Sequence, residues 1–207
     1  DMTESGKPEY KASFADWLID NGMPSDFAQQ VSDSMGDTHS MTLPHPPTLS
    51  RITAGDTIQM GERTWEMIHA PGHSDGQLIF YDRADNLLLS GDHVLMKITP
   101  NIGLWRHSQP DPLGRFMTSL RELQDLPVRL ALPGHRHLIE NWQGRIEELI
   151  GHHEHRLDFV REAYAAGATT PYEVTLHIFP TERFSSHEWR FAIAETLAHM
   201  AYLDNHD

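Results

Sequence analysis

Three short segments each place a potential metal ligand directly after an apolar, strand-like run. The ligands and the runs before them are His73 after residues 65–69, Asp92 after residues 87–89 and His135 after residues 128–132. Ligands at the ends of adjacent strands meet at one edge of a sheet, and the small Gly and Ser residues around them let the backbone approach an ion closely. Imidazole together with carboxylate suits zinc, manganese or iron. The spacing therefore predicts a metal site built from loop tips.

In this order, His73, Asp92 and His135 resemble the third, fourth and fifth motifs of the metallo-β-lactamase superfamily, and the resemblance runs from about Pro47 to about Gly167. It implies that His73 binds a first metal ion, that His135 binds a second and that Asp92 bridges both as the catalytic carboxylate. The implied cofactor is a pair of zinc ions in the intact enzyme, with manganese or iron as alternatives. One local departure is Arg136, because relatives commonly carry Gly directly after the last His.

A larger departure is that no segment reads His-x-His-x-Asp-His, the upstream motif that supplies most ligands in the family. His39 and His45 lie upstream without an Asp-His partner, and we do not expect them to substitute for it. The sequence opens Asp1-Met2, and we interpret the chain as the C-terminal part of such an enzyme. Three ligands divided between two metal positions fill neither, so we expect this chain to hold metal weakly or not at all.

The reaction that the resemblance implies is hydrolysis. Bound metal ions lower the pKa of water towards ~7 and supply hydroxide for attack on the substrate. The sequence contains no Cys and no Gly-x-Ser-x-Gly elbow that would supply a protein nucleophile instead. The nearest resemblance is to glyoxalase II-like hydrolases with a helical tail, which implies an ester or thioester substrate. Two alternatives remain open, namely a non-catalytic binding or assembly module and a nuclease on the same fold.

Composition limits the partners. The net charge of −14, from 16 basic and 30 acidic residues, disfavours binding to a phosphate backbone, which needs clustered Lys and Arg. No stretch approaches 18 consecutive apolar residues, so we expect no membrane span. The absence of Cys fits a cytoplasmic protein. We therefore expect a small-molecule substrate, with Trp105 and Arg106 of a Pro-rich loop as candidate contacts; the alternative is a surface loop with one tucked aromatic ring.

The predicted fold class is α/β. Residues 1–140 are expected to form the C-terminal part of an αββα sandwich, incomplete at its N-terminus, and residues 141–207 a small helical domain that resembles a winged helix. The hydrophobic spacing predicts two helices in 10–35, the second capped by Ser25 or Asp26, a β-meander from 56 to 89 and a core-facing helix at 113–123. Thr170 with Glu173, and Ser185 with Glu188, have the spacing of capping boxes at the start of two C-terminal helices. Since the chain holds mainly one half of the sandwich, we expect an apolar sheet face that a missing N-terminal fragment or a second copy of the chain covers.

The remaining histidines allow several interpretations. His69 and His93 lie beside ligand loops, where they would either hydrogen-bond to a ligand segment or be buried with a satisfied partner. We do not expect His137 to bind the ion that His135 binds, because neighbouring loop histidines rarely fit one site. His152 and His153 point about 100° apart on a predicted helix, so they do not easily chelate one ion. His153 falls on the apolar stripe of that helix, which predicts that it packs inward or against the site.

Overall fold

The computed structural model describes residues 8–35, 43–44 and 46–206. The elements, in chain order, are α1 (Pro8–Asp20), α2 (Ser25–Asp33), β1 (Thr57–Met60), β2 (Arg63–His69), β3 (Leu78–Asp82), β4 (Leu87–Gly91), α3 (Pro112–Gln124), β5 (Leu130–Pro133), α4 (Trp142–Ala165), α5 (Pro171–Ile178) and α6 (Ser186–His206), with a 3-10 turn at Thr181–Arg183. Among the described helices, none is both long and apolar enough to cross a membrane.

The chain divides into two compact units. The sheet unit comprises residues 51–158 and 198–207, and the helical unit comprises residues up to 50 together with 159–197. The boundary predicted at residue 140 separates a sheet domain from a tail, and these units group the chain differently because parts of α4 and α6 lie with the sheet. The two predicted domains stay a prediction, as does the winged-helix-like character of the tail. Residues 142–206 form helices and turns and contain no strand.

One five-stranded mixed sheet, in the order β1-β2-β3-β4-β5, forms the centre of the sheet unit. Strands β1 to β4 pair antiparallel as a meander, whereas β5 pairs parallel to β4. A parallel pair cannot be joined by a tight turn and needs a crossover connection, which here contains α3. The predicted meander and the predicted helix at 113–123 are confirmed. The crossover brings the C-terminal ends of β4 and β5, and thus Asp92 and His135, to the same edge.

The two faces of this sheet differ in burial. One face is fully buried through Ile79, Tyr81, Leu88 and Ala131. The opposite face is half-buried and apolar, and it comprises Leu78, Phe80, Leu87, Leu89, Leu130 and Leu132. The register pairs Phe80 with Leu89 and Leu89 with Leu132, so these side chains form one continuous patch. This patch, the open sheet face, agrees with the expectation of one half of a sandwich; what covers it stays a prediction.

Helix α3 presents Leu113, Phe116, Leu120 and Leu123 to the buried interior, as the helical spacing predicted. Its N-terminus is capped by Asp111, whose carboxylate accepts from the Gly114 N–H at 3.0 Å, and Pro112 occupies the first helical position. Phe116 of this helix lies against Gly72 and against the His93 ring, so the crossover helix contacts the two loops that carry His73 and Asp92.

The helical unit confirms both predicted capping boxes. The Thr170 hydroxyl accepts from the Glu173 N–H while the Glu173 carboxylate accepts from the Thr170 N–H, and Ser185 and Glu188 repeat the pattern. The cap predicted for α2 at Ser25 or Asp26 is wrong, because the N-cap residue is Pro24 and no side chain caps that helix. Proline has no side-chain acceptor for the free N–H groups. Ser25 and Asp26 lie one and two positions too late to cap the helix, because both already belong to its first turn.

Buried histidines line the interior of the sheet unit. The Phe116 ring lies between the rings of His93 and His153, with centroid distances of 5.0 Å and 5.4 Å. His153 is fully buried, as its place on the apolar stripe predicted, and its Nδ1 lies 3.1 Å from Nε2 of His199. Burial, assisted by the neighbouring His199, His152 and Arg156, holds the pKa of His153 well below its ordinary value. The ring is therefore neutral in the folded protein.

This buried neutral histidine makes stability dependent on pH. Unfolding exposes His153, whose pKa then returns to ~6.5, so the unfolded chain binds an extra proton below that pH. The free energy of unfolding should consequently fall as pH drops below ~6.5, by about 1.4 kcal/mol per pH unit for each such proton. Urea unfolding between pH 7.5 and pH 5 measures this slope.

The variant His153→Gln should flatten the slope, because glutamine retains a hydrogen-bonding group but does not titrate. His155→Gln changes an exposed histidine on the same helix and serves as the matched control. Equal slopes for the wild type and His153→Gln would contradict the assignment of the acid sensitivity to the buried ring.

Candidate metal centre

His73 stands at the tip of the loop that follows β2. The loop is closed at its base by a hydrogen bond from the Ala70 N–H to the Gln77 carbonyl oxygen at 2.9 Å. Gly72 has a φ of 141°, and a Cβ at that position would lie 2.6 Å from Phe116, so only glycine fits. The Nδ1 atom of His73 donates to the Asn101 carbonyl oxygen at 3.0 Å. Because a carbonyl oxygen only accepts, this bond leaves Nε2 with its lone pair available for a ligand.

Asp92 follows β4 directly and is two-thirds buried, with a side-chain exposure of 33%. Its Oδ2 atom lies 4.0 Å from His73 Nε2, and its Oδ1 atom lies 3.4 Å from His135 Nε2. The first distance is too long for a hydrogen bond. The second is short enough, but the buried Oδ1 atom has no hydrogen-bond partner in the described part of the chain. A buried carboxylate oxygen without a partner is costly unless something else satisfies it.

His135 reaches the same point from β5. The Gly134 N–H donates to the Gly91 carbonyl oxygen at 2.8 Å, which joins the two loop bases. A Cβ on Gly134 would lie 2.4 Å from Asp92 Oδ1, so this glycine provides the room that the carboxylate occupies. Arg136 has a φ of 70°, the left-handed conformation that glycine adopts without strain. The glycine that the family resemblance leads us to expect here would adopt this conformation freely, whereas the arginine costs about 1–2 kcal/mol.

The structure therefore gathers the three predicted ligands at one point, with the His73 and His135 imidazoles each facing one oxygen of the Asp92 carboxylate. This arrangement suits a carboxylate shared by two cations, each with one histidine. It does not complete either position, since no three His, Cys, Asp or Glu side chains among the described residues are grouped to hold one ion. The residues present thus fit the implied metal pair in part. Their role as ligands stays a prediction.

Trp105 and Arg106, the candidate substrate contacts, belong to the segment 92–111 that follows β4 and contains neither helix nor strand. Trp105 is half-buried and Arg106 is exposed. The segment is tied to the His73 loop at two points, through the Asn101 carbonyl oxygen and through the Gln109 N–H, which donates to Asp75 Oδ2 at 3.0 Å. The structure thus places this segment beside His73, while the substrate contacts themselves stay a prediction.

Of the other histidines considered above, one is buried, two are exposed and two lie outside the described residues. His93 is buried with its Nε2 atom 3.1 Å from the Ser119 hydroxyl, and burial lowers its pKa to about 3. His69 is exposed, and its Nε2 atom lies 2.9 Å from the Asp75 carbonyl oxygen, so it supports the ligand loop from outside and the expectation of burial is wrong for it. His137 is exposed. His39 and His45 lie outside the described residues.

Two side chains that support the ligand loops, Asp75 and Arg145, were not predicted from the sequence. Asp75 forms an ion pair with Arg115 of α3, with Oδ1 and Nη1 2.5 Å apart, and so joins the ligand loop to the crossover helix. Arg145 of α4 donates to the carbonyl oxygens of Leu95 and Ile98, at 2.7 Å each, and anchors the segment after Asp92. Both are charged residues whose partners are distant in sequence, so spacing alone could not identify them.

Comparison with known proteins identifies the superfamily to which the chain belongs. A sequence profile described as the metallo-beta-lactamase superfamily matches residues 12–135. That match covers more than half of the chain, and the chain belongs to the metallo-β-lactamase superfamily.

Among curated relatives, the chain is 34% identical over 137 residues to a lactamase-like protein nscB of Arthroderma benhamiae, covering 65% of the chain and 28% of the relative. It is 27% identical over 143 residues to an atrochrysone carboxyl ACP thioesterase of Aspergillus fumigatus, covering 68% and 42%. A crystal structure of a metallo-β-lactamase family protein from Thermus thermophilus superposes with a TM-score of 0.76 at 32% identity, over 99% of this chain and 62% of that one. The chain thus spans less than half of these curated relatives.

The close approach at Gly134 yields a test of the site geometry. Gly134→Ala should push the Asp92 carboxylate away from its place between the histidines, because the new methyl group would overlap Oδ1. We expect changed ring chemical shifts for His73 and His135 in carbon–proton NMR spectra, and a loss of about 1–3 kcal/mol in stability.

Gly76→Ala is the matched control. Gly76 lies in the His73 loop, and a Cβ at that position meets nothing within 4 Å. It should leave both rings unshifted and the stability within about 0.5 kcal/mol of the wild type. Unchanged histidine spectra in Gly134→Ala would mean that the carboxylate is not held as the structure places it.

Proposed function

We propose that this chain forms part of a metal-dependent hydrolase that acts on an ester or thioester. The observation that carries the proposal is the Asp92 carboxylate, which directs one oxygen towards His73 and the other towards His135 and keeps Oδ1 buried without a hydrogen bond among the described residues. Membership of the metallo-β-lactamase superfamily supports the reaction type, and the relative named as an acyl carrier thioesterase supports the substrate class.

The proposed ligands divide between two ions. His73 and Asp92 would contribute to one position, and His135 and Asp92 to the other, with zinc as the first choice and manganese or iron as alternatives. Bound ions of this kind supply Lewis acidity towards a carbonyl oxygen and lower the pKa of a water molecule to about 7. Asp92 is the proposed catalytic carboxylate.

The protein's own contribution is positioning. The bond from His73 Nδ1 to the Asn101 carbonyl oxygen fixes the ring tautomer and orientation, as is usual for metal-binding imidazoles. The segment that supplies Asn101 also carries Trp105 and Arg106, which we propose as substrate contacts. Helices α4 to α6 after the sheet support the proposed glyoxalase II-like subtype with a helical tail, whereas a winged-helix character is not supported by residues 142–206, which contain no strand.

A second candidate is a non-catalytic binding or assembly module. It is favoured by one observation, that the described residues contain no group of three ligands for a single ion. In that case the three loop tips would keep the shape of a metal centre without its chemistry. Zinc-dependent turnover distinguishes the two candidates.

The test begins with metal analysis of the purified 207-residue chain. We expect less than one firmly held ion per chain and weak hydrolysis of a simple acyl thioester that rises when zinc is added. Asp92→Asn should abolish the zinc-dependent part, because the neutral amide no longer bridges two cations. Asp56→Asn, at an exposed turn before β1, is the matched control and should leave the rate unchanged.

Three results would change the proposal. Equal rates for Asp92→Asn and the wild type would remove the hydrolytic site from this position. Two firmly held ions per chain would show that other residues complete the ligand set. Absent turnover, with or without added zinc, would favour the non-catalytic module.

We also propose that the open sheet face packs against another layer, supplied either by an N-terminal polypeptide segment or by a second copy of this chain. Its half-buried apolar residues support this, because a continuous apolar patch that remains partly accessible to solvent usually marks a contact surface. Alone in solution, the chain has only the second option and should self-associate.

Light scattering on the purified chain over a range of concentrations should therefore show a dimer or larger species. Leu89→Lys, in the centre of the open sheet face, should shift the mass towards the monomer, since a buried charge without a partner is costly. Leu49→Lys changes a leucine that is already 87% exposed and should have no such effect. A compact, stable monomer at every concentration would contradict the proposal.

A further inference from the structure

Gln77 stands where the His73 loop ends and β3 begins. Its backbone carbonyl oxygen accepts from the Ala70 N–H at 2.9 Å, and its N–H donates to the Ser74 carbonyl oxygen at 3.4 Å. Both ends of the loop that carries His73 are thus joined at this residue. The side chain is half-buried and points away from this loop, towards the end of β4.

The side-chain amide of Gln77 meets the turn that carries Asp92. With its oxygen directed at that turn, it accepts from the Asp92 N–H at 3.1 Å and from the His93 N–H at 2.9 Å. The opposite orientation would place an NH2 group against two N–H donors, so the hydrogen-bond network decides the orientation. Gly91 adopts a φ of 52°, and a Cβ there would lie 3.1 Å from the Gln77 amide. The backbone turn and the amide therefore fit closely.

We propose that Gln77 is a positioning residue that holds the Asp92 carboxylate between His73 and His135. One side chain supplies an acceptor for two consecutive backbone donors directly after the end of β4. Its backbone belongs to the His73 loop and its side chain binds the Asp92 turn, so the residue fixes the two loops relative to each other. The consequence for metal affinity rests on the proposed function, whereas the consequence for geometry does not.

A purely space-filling role would predict a different pattern of variants. Gln77→Met preserves the length and bulk of the side chain but removes the acceptor. Gln77→Glu preserves an acceptor in the same place. If the hydrogen bonds matter, methionine should disturb the site and glutamate should restore it; if bulk alone matters, both should behave as the wild type.

Two measurements on the full chain require no metal. Amide hydrogen exchange of Asp92 should accelerate by about tenfold or more in Gln77→Met, and that of His93 by less, because its N–H also donates to the Ser90 carbonyl oxygen at 3.1 Å. The ring chemical shifts of His73 and His135 should change. Gln77→Glu should keep exchange within about threefold of the wild type. Gln59→Met, which removes a glutamine bonded to the exposed Gly61 carbonyl oxygen, is the matched control and should alter neither measurement.

A third measurement uses zinc as the probe. Titration of the chain with zinc, followed by NMR, should show affinity weakened about tenfold or more in Gln77→Met and recovered in Gln77→Glu, which is the usual size of effect for groups that orient a ligand. If the wild-type chain binds no zinc, the metal part of the proposed function fails and the exchange and ring-shift data alone decide on Gln77.

The inference is overturned by unchanged exchange and ring shifts in Gln77→Met. It is also overturned if Gln77→Met and Gln77→Glu lower the stability equally while the histidine rings and the zinc affinity stay as in the wild type. Rescue by glutamate together with failure of methionine supports it.

Discussion

The parallel pairing of β4 with β5 is the constraint on which the candidate centre depends. It aligns Leu88 with Ala131 and Leu89 with Leu132. Just beyond β5, the Gly134 N–H donates a hydrogen bond to the Gly91 carbonyl oxygen at 2.8 Å. Two residues that lie far apart in sequence, Asp92 and His135, thereby leave the sheet at one edge. An antiparallel partner would have placed its ligand at the opposite edge. The crossover through α3 is therefore as much part of the site as the ligands.

Glycine residues allow the ligand-bearing loops to meet at this edge of the sheet, because the backbone there approaches its neighbours more closely than a side chain would allow. Gly72 touches Phe116, Gly134 touches the Asp92 carboxylate, and Gly91 lies against the Gln77 amide. The free space at these positions is filled by groups that carry or support the chemistry. A methyl group at Gly134 would compete directly with Oδ1, so the glycine of the Pro-Gly-His segment is a geometric requirement. Arg136, with its positive φ, shows the strain that arises where a residue other than glycine adopts the left-handed conformation.

Much of this arrangement could be predicted from sequence, and the reason is local. Strand runs, turns, the helix at 113–123 and both capping boxes depend on neighbouring residues, and the ligand segments each follow a strand within a few positions. What could not be predicted depends on long-range contacts. Nothing near Gln77 in the sequence announces that its amide binds the Asp92 turn, and nothing near His69 reveals that it stays exposed and bonds to the Asp75 carbonyl oxygen. The α2 cap failed because two polar residues at a helix start do not show which of them, if either, faces the free N–H groups.

The net charge of −14 illustrates how a whole-chain property can differ from a local one. The segment 93–110, which follows Asp92, and residues 133–139, which surround His135, include no acidic residue and contain Lys97, Arg106 and Arg136. At an ionic strength of about 0.15 M, charges separated by more than ~8 Å are largely screened, so a ligand at this edge responds to the groups beside it, the Asp92 carboxylate first among them, far more than to distant acidic residues. The acidity that argues against binding an extended phosphate backbone therefore places no limit on the charge of a small substrate.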